Sequence, residues 1–235
     1  MENGVAKPHG SSEEENWDAV SDYISKTDLV QLGSYYSYII NSDIKHVMFT
    51  LSRYKFASKL FAYKENVKLL ELGCQEALGA LVFMQNVKLS RYVGVDLDQR
   101  AIEWNQKHLP HEFEFICSNF FKCPIIGNGD FNAVVSLDVI EHIPASMEDQ
   151  YCRLLIDSMS DDGVAVVGTP SIMMSPYASE GSKIAHINLY DQKRLYELMS
   201  KYFSNVFIFN MNDEIVNTGF DPMSCYIFAV CCNQR

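Results

Sequence analysis

The 235-residue chain carries a formal net charge of -11, and 48% of its residues are apolar. That is enough apolar material for one domain with a good-sized core and too much for a disordered chain. The excess of acid argues against long nucleic acid as a partner, since binding many phosphates needs a basic face. No apolar run approaches the roughly 20 residues that cross a bilayer, and the first residues lack the apolar stretch of a secretion signal. The seven cysteines include no C-x-x-C pair, so neither a cysteine zinc site nor a disulfide framework is indicated. These features describe a cytoplasmic protein with reduced thiols.

In chain order, residues 1–16 are polar and rich in Gly, Ser and Glu, the composition of a mobile tail. Residues 17–62 read as a helical cap: Trp17, Val20 and Ile24 stand at helical spacing, and a loop is expected over 32–38. Asp43 then reads as the N-cap of a helix running to about Ala62. From residue 63 onward one domain is expected, in which short β-rich runs alternate with helical patterns. The strands predicted are 68–72, 91–96, 112–117, 133–137, 163–169, 205–211 and 226–232. Helices are predicted near 77–85, 99–108, 146–159 and 192–202. Such alternation gives an α/β, Rossmann-like, seven-stranded and mostly parallel sheet. The connection 212–224 is too short for a comfortable helical crossover, so the last two strands pair as an antiparallel carboxyl-terminal hairpin near one edge.

Two strand ends stand out. The run Val67-Lys-Leu-Leu-Glu71-Leu-Gly73-Cys-Gln75-Glu-Ala77 is a strand ending in an acid, then a glycine turn, then a helix start. Some twenty residues on, Tyr92-Val-Gly-Val-Asp96 again ends in an acid. In an open parallel sheet, ligands bind beyond the carboxyl ends of the strands, so the pair suggests a nucleotide-like cofactor site. With the order of elements, these motifs resemble the class I S-adenosylmethionine-dependent methyltransferases over roughly residues 43–235. That family's first motif is Glu/Asp-x-Gly-x-Gly-x-Gly; this chain keeps Gly73 and has Gln75 and Ala77 at the other two positions, where a somewhat different backbone path is expected.

The resemblance implies a set of cofactor residues. Gly73 lets the main chain come close to S-adenosylmethionine, and Glu71 lies near the ammonium of its methionine moiety, directly or through water. Asp96 accepts hydrogen bonds from both ribose hydroxyls, Asn119 meets the adenine amino group, Leu137 lies near the cofactor, and Arg53 reaches the methionine carboxylate. The bland readings are an ordinary strand-to-helix turn at Glu71 and Gly73, and a solvated surface charge at Arg53.

After the fourth strand comes Leu137-Asp138-Val-Ile-Glu141-His142-Ile-Pro144, and His186 follows much later. Methyl transfer from a sulfonium needs alignment and removal of the acceptor's proton, which His142 or His186 can take near neutral pH. Asp138 and Glu141 complete the catalytic candidates. The acceptor expected is a hydroxyl or amine on a small molecule or saccharide. Asp138-x-x-Glu141-His142 with His186 is also similar to the pattern of metal-using small-RNA 2′-O-methyltransferases and ubiquinone-pathway O-methyltransferases. That version would employ Mg²⁺ or Mn²⁺, whereas the preferred reading has no metal. A third reading is a non-catalytic binding protein on the same fold. A dinucleotide dehydrogenase is disfavoured because G-x-G-x-x-G is absent after the first strand.

Overall fold

The computed structural model describes residues 12–26, 30–123 and 126–235. It divides into two compact units, one ending at Leu32 and the other running from Gly33 to Arg235. The first contains helix α1 (Glu13–Ser25), which opens inside the expected tail; residues 1–11 of that tail lie outside the described residues. A capping box explains its start: Glu15 N–H donates to Ser12 Oγ at 3.2 Å while Ser12 N–H donates to Glu15 Oε2 at 2.9 Å. Three glutamates in the first turn add a favourable interaction with the helix dipole.

The second unit starts with α2 (Ser34–Ser42), where the sequence suggested a loop, and α3 (Ile44–Phe61). The correction at α2 has a tertiary cause. Gly33 caps it with no side chain of its own, and the carboxylate of Glu76 accepts from the Tyr35 and Tyr36 N–H groups at 2.8 and 3.1 Å. At the start of α3, Asp43 occupies the N-cap position but its side chain makes no cap bond.

Then follow β1 (Val67–Leu72), α4 (Leu78–Asn86), β2 (Leu89–Asp96), α5 (Gln99–His108), β3 (Glu114–Cys117), β4 (Phe131–Leu137), α6 (Glu148–Ser158), β5 (Met159–Pro170), α7 (Glu180–Ala185), α8 (Gln192–Met199), β6 (Phe203–Asn212), β7 (Ile215–Asn217) and β8 (Tyr226–Gln234). The sheet has eight strands rather than seven, in the order β3-β2-β1-β4-β5-β8-β6-β7. The addition is β7, three residues in the loop before β8, which pairs antiparallel with β6. Strands β1 to β5 are parallel, and β8 lies antiparallel between β5 and β6, as expected for the terminal pair.

Both faces of the sheet are covered, so its central strands are apolar almost throughout. Along β1, Leu70 and Leu72 enter one core with Tyr151, Leu155 and Leu195. Leu69 enters the other, with Tyr54, Phe61, Phe83 and Ile102. Glu71 is buried within the sheet, and its hydrogen bonds to Tyr54 and Tyr92 place it among the residues of this second core.

Candidate active site

A cleft of about 1330 Å³ opens beyond the carboxyl ends of the parallel strands. Of the residues singled out from sequence, Arg53, Gly73, Asp96, Asn119, Leu137, Asp138, His142 and His186 all border it. Glu71 and Glu141 do not: both are buried, at 1% and 0% exposure.

The glycine turn closes against its neighbours. Gly73 has φ +75°, and a Cβ there would collide with Val139. Gln75 and Ala77, where the family motif has glycine, also adopt left-handed backbone, at φ +47° and +45°. The turn thus keeps a glycine-like conformation and carries the strain in ordinary residues. Asp96 braces it: Oδ2 accepts from Gln75 N–H at 2.8 Å and Oδ1 from Asp98 N–H at 2.9 Å. Each carboxylate oxygen keeps a further lone pair for a ligand. Asn119 is held at the rim by its own turn, Oδ1 accepting from Phe121 N–H at 3.0 Å.

Behind the turn, both oxygens of Glu71 are engaged, one by the Tyr54 hydroxyl at 2.7 Å and the other by the Tyr92 hydroxyl. Burial pushes this carboxyl up to about 7, and the two tyrosine donors only partly counter it. Tyr54 itself borders the cleft, so Glu71 meets the site through that ring. Nothing in the sequence signalled Tyr54 or Tyr92 as partners; they come from a helix and from another strand.

Asp138 stands at the end of β4 with φ +57°. Its carboxylate accepts two hydrogen bonds from Arg53 Nη1, at 3.0 and 2.8 Å, and the guanidinium carbon lies 4.0 Å from the centroid of the Tyr226 ring. The Asp138 N–H donates to Gly168 O at 3.0 Å and to the Tyr226 hydroxyl at 3.2 Å. Burial works against the charge on Arg53, and Asp138, Tyr226 and Glu141 together more than offset it, so the guanidinium stays protonated. Tyr226, unmarked in the sequence, therefore braces both members of the pair. On the same helix as Arg53, His46 also borders the cleft, with its pKa lowered by burial and by the nearby guanidinium.

Glu141 accepts from Thr169 Oγ1 at 2.9 Å through Oε2, while Oε1 is buried with no hydrogen-bond partner among the described residues. Burial, reinforced by Asp138, pushes its carboxyl up to about 8. His142 Nδ1 lies 3.0 Å from Ala185 O, and its ring meets that of His186 edge-on at 5.0 Å between centroids. Burial, then the His142 ring, lowers the pKa of His186 and favours its neutral form. One ligand atom each from Glu141, His142 and His186 fall within 4.8 Å of one another. Asp138, expected beside them, is held by Arg53 instead. Among the described residues, no helix is long and apolar enough to cross a membrane.

Comparison with known proteins bears on the fold and the family. The model of a methyltransferase domain family matches residues 44–202. A search of curated proteins gave no match. Among solved structures, a complex between the Haloferax volcanii Trm112 methyltransferase activator and a methyltransferase matches with TM-score 0.66 at 10% identity, covering 87% of this chain and 100% of that one. A TehB-like SAM-dependent methyltransferase from Corynebacterium glutamicum matches with TM-score 0.59 at 13% identity, over 94% and 95%. The N-methyltransferase NodS from Bradyrhizobium japonicum, in complex with S-adenosyl-L-homocysteine, matches with TM-score 0.57 at 13% identity, over 77% and 85%. Likeness at this identity speaks for the fold, and the family model extends it to sequence: the chain belongs to the class I S-adenosylmethionine-dependent methyltransferases.

Proposed function

We propose that the protein moves a methyl group from S-adenosylmethionine to a hydroxyl or amine of a small-molecule or saccharide acceptor. The observation that carries this reading is the convergence of Gly73, Asp96 and Arg53, from three separate elements, on one cleft beyond the strand ends. The residues fit the cofactor: Asp96 retains free lone pairs for ribose hydroxyls, and buried Arg53 has a donor, Nε, with no partner among the described residues. Bound cofactor supplies a methyl group on a sulfonium, open to in-line attack. The chain's task is to align the acceptor and take its proton. We assign that proton to the His142–His186 pair, with His186 kept neutral. Glu71 acts at one remove, by fixing Tyr54. A polyhydroxylated acceptor suits the cleft, because its lining residues include Tyr35, Tyr38 and Tyr177 together with Ser42, Ser175 and Ser179.

The test is calorimetric titration with S-adenosylmethionine, with a nicotinamide dinucleotide as control. Asp96→Ala is expected to weaken binding at least about tenfold, as loss of charged hydrogen bonds implies. Equal binding by that variant would refute the ribose assignment.

A second reading is favoured by one observation, the grouping of Glu141, His142 and His186. An imidazole whose Nδ1 bonds a backbone carbonyl presents Nε2 to a metal, and the unpartnered Glu141 Oε1 is a further donor. These residues suit a divalent ion, which would acidify a coordinated acceptor hydroxyl. Turnover that falls with chelator and returns with Mg²⁺ or Mn²⁺ supports this version; turnover indifferent to chelator removes it.

A further inference from the structure

The ion pair between Arg53 and Asp138 joins residues 85 positions apart in the sequence. It is lopsided in a way that bears on cofactor binding. A guanidinium that fully engages a carboxylate does so with two nitrogens in parallel. Here Nη1 makes both bonds, at 3.0 and 2.8 Å, and among the described residues no other Arg53 nitrogen has a hydrogen-bond partner. Nε is buried and orphaned, and the Arg53 side chain is only 11% exposed. Asp138 is the looser member: its side chain is 38% exposed, and its carboxylate has no other hydrogen bond among the described residues. The site therefore holds one buried cation with unspent donors and one carboxylate held end-on at the edge of the cleft.

We propose that Arg53 is a shared carboxylate receptor, at which the methionine carboxylate of the cofactor competes with Asp138, so that cofactor binding releases Asp138 into the cleft. The inference rests on the cofactor reading above and adds a role for Asp138 as the residue that tunes cofactor affinity. By reciprocity, the factor by which Asp138 weakens the cofactor is the factor by which the cofactor weakens the ion pair. Asp138, His142 and His186 border one cleft, so the freed carboxylate shares it with the two imidazoles.

The experiment compares two probes: S-adenosylhomocysteine, which carries the carboxylate, and 5′-methylthioadenosine, which keeps the nucleoside and thioether without the amino-acid part. In calorimetry, Asp138→Asn is expected to tighten S-adenosylhomocysteine about fivefold or more and to leave 5′-methylthioadenosine unchanged. Unchanged or weaker binding of S-adenosylhomocysteine, or an equal change for both probes, overturns the proposal. A second measurement uses the wild-type protein and needs no variant. The nuclear magnetic resonance signal of Arg53 Nε–H is expected to move with S-adenosylhomocysteine and to stay in place with 5′-methylthioadenosine; an identical response to both also overturns it. If wild-type protein binds neither probe, the cofactor reading itself fails, an outcome distinct from both.

Discussion

Glu71 shows how one residue can carry strain for the site. A buried carboxyl raised to about 7 holds its proton more tightly in the folded chain than in the unfolded one, where it titrates near 4.5. Its contribution is fully present below pH 4.5 and is lost as pH rises through 7, a difference on the order of 3 kcal/mol. Glu141, raised to about 8, extends the decline to higher pH. Glu71→Gln is expected to remove the first part of the slope. In urea unfolding the variant should match the wild type near pH 4 and exceed it at pH 8; parallel curves over that range would contradict the assignment. At this scale the sequence was informative where chemistry and chain neighbours coincide. Gly73 and Asp96 were legible because a turn after a strand constrains its own residues. The partners of Glu71 and Asp138 were not, because Tyr54, Tyr92 and Arg53 reach them from elsewhere in the fold.

Helix α2 makes the same point for an element. Leu32-Gly-Ser-Tyr-Tyr-Ser-Tyr38 reads as a loop, with glycine at the cap position and no run of strong helix formers. What completes the helix is Glu76, 41 residues from Tyr35 in sequence. A Cβ at Gly33 would overlap the Glu76 carboxyl, so the glycine makes room for the cap. Glu76 also lies in the glycine turn that Asp96 braces, which fastens α2 to the turn after β1. Glu76→Gln is expected to weaken the cap by about 1 kcal/mol. Amide exchange should then quicken over residues 35–38 while the strands keep their protection; unchanged exchange there would show that α2 is held by packing instead. Strand β7 escaped the sequence for a simpler reason, since three residues are too few for an alternating pattern to register.

Over the whole molecule, the mostly parallel α/β sheet and the terminal antiparallel pair were legible from apolar runs and connection lengths, whereas the spatial order of the strands came from the structure. The support beneath Arg53 was not legible, since it comes from Tyr226, the first residue of β8, whose ring packs against the guanidinium. If the cleft takes the cofactor as proposed, S-adenosylhomocysteine at about 100 times its dissociation constant stabilises the fold by about 2.7 kcal/mol. For a chain of this size that is an expected rise of about 5–10 °C in melting temperature. No rise at saturating ligand would count against the cofactor reading.

The position of β8 has a consequence for synthesis. It is laid between β5 and β6, so those two strands meet only through residues that leave the ribosome after both. Until residue 226 and its successors emerge, β5 and β6 each present an unpaired edge to other nascent chains. Translation that stalls in the connection before β8 should therefore yield aggregation-prone chains that lack the Tyr226 ring packed against Arg53, and the final strand completes the sheet and that support together.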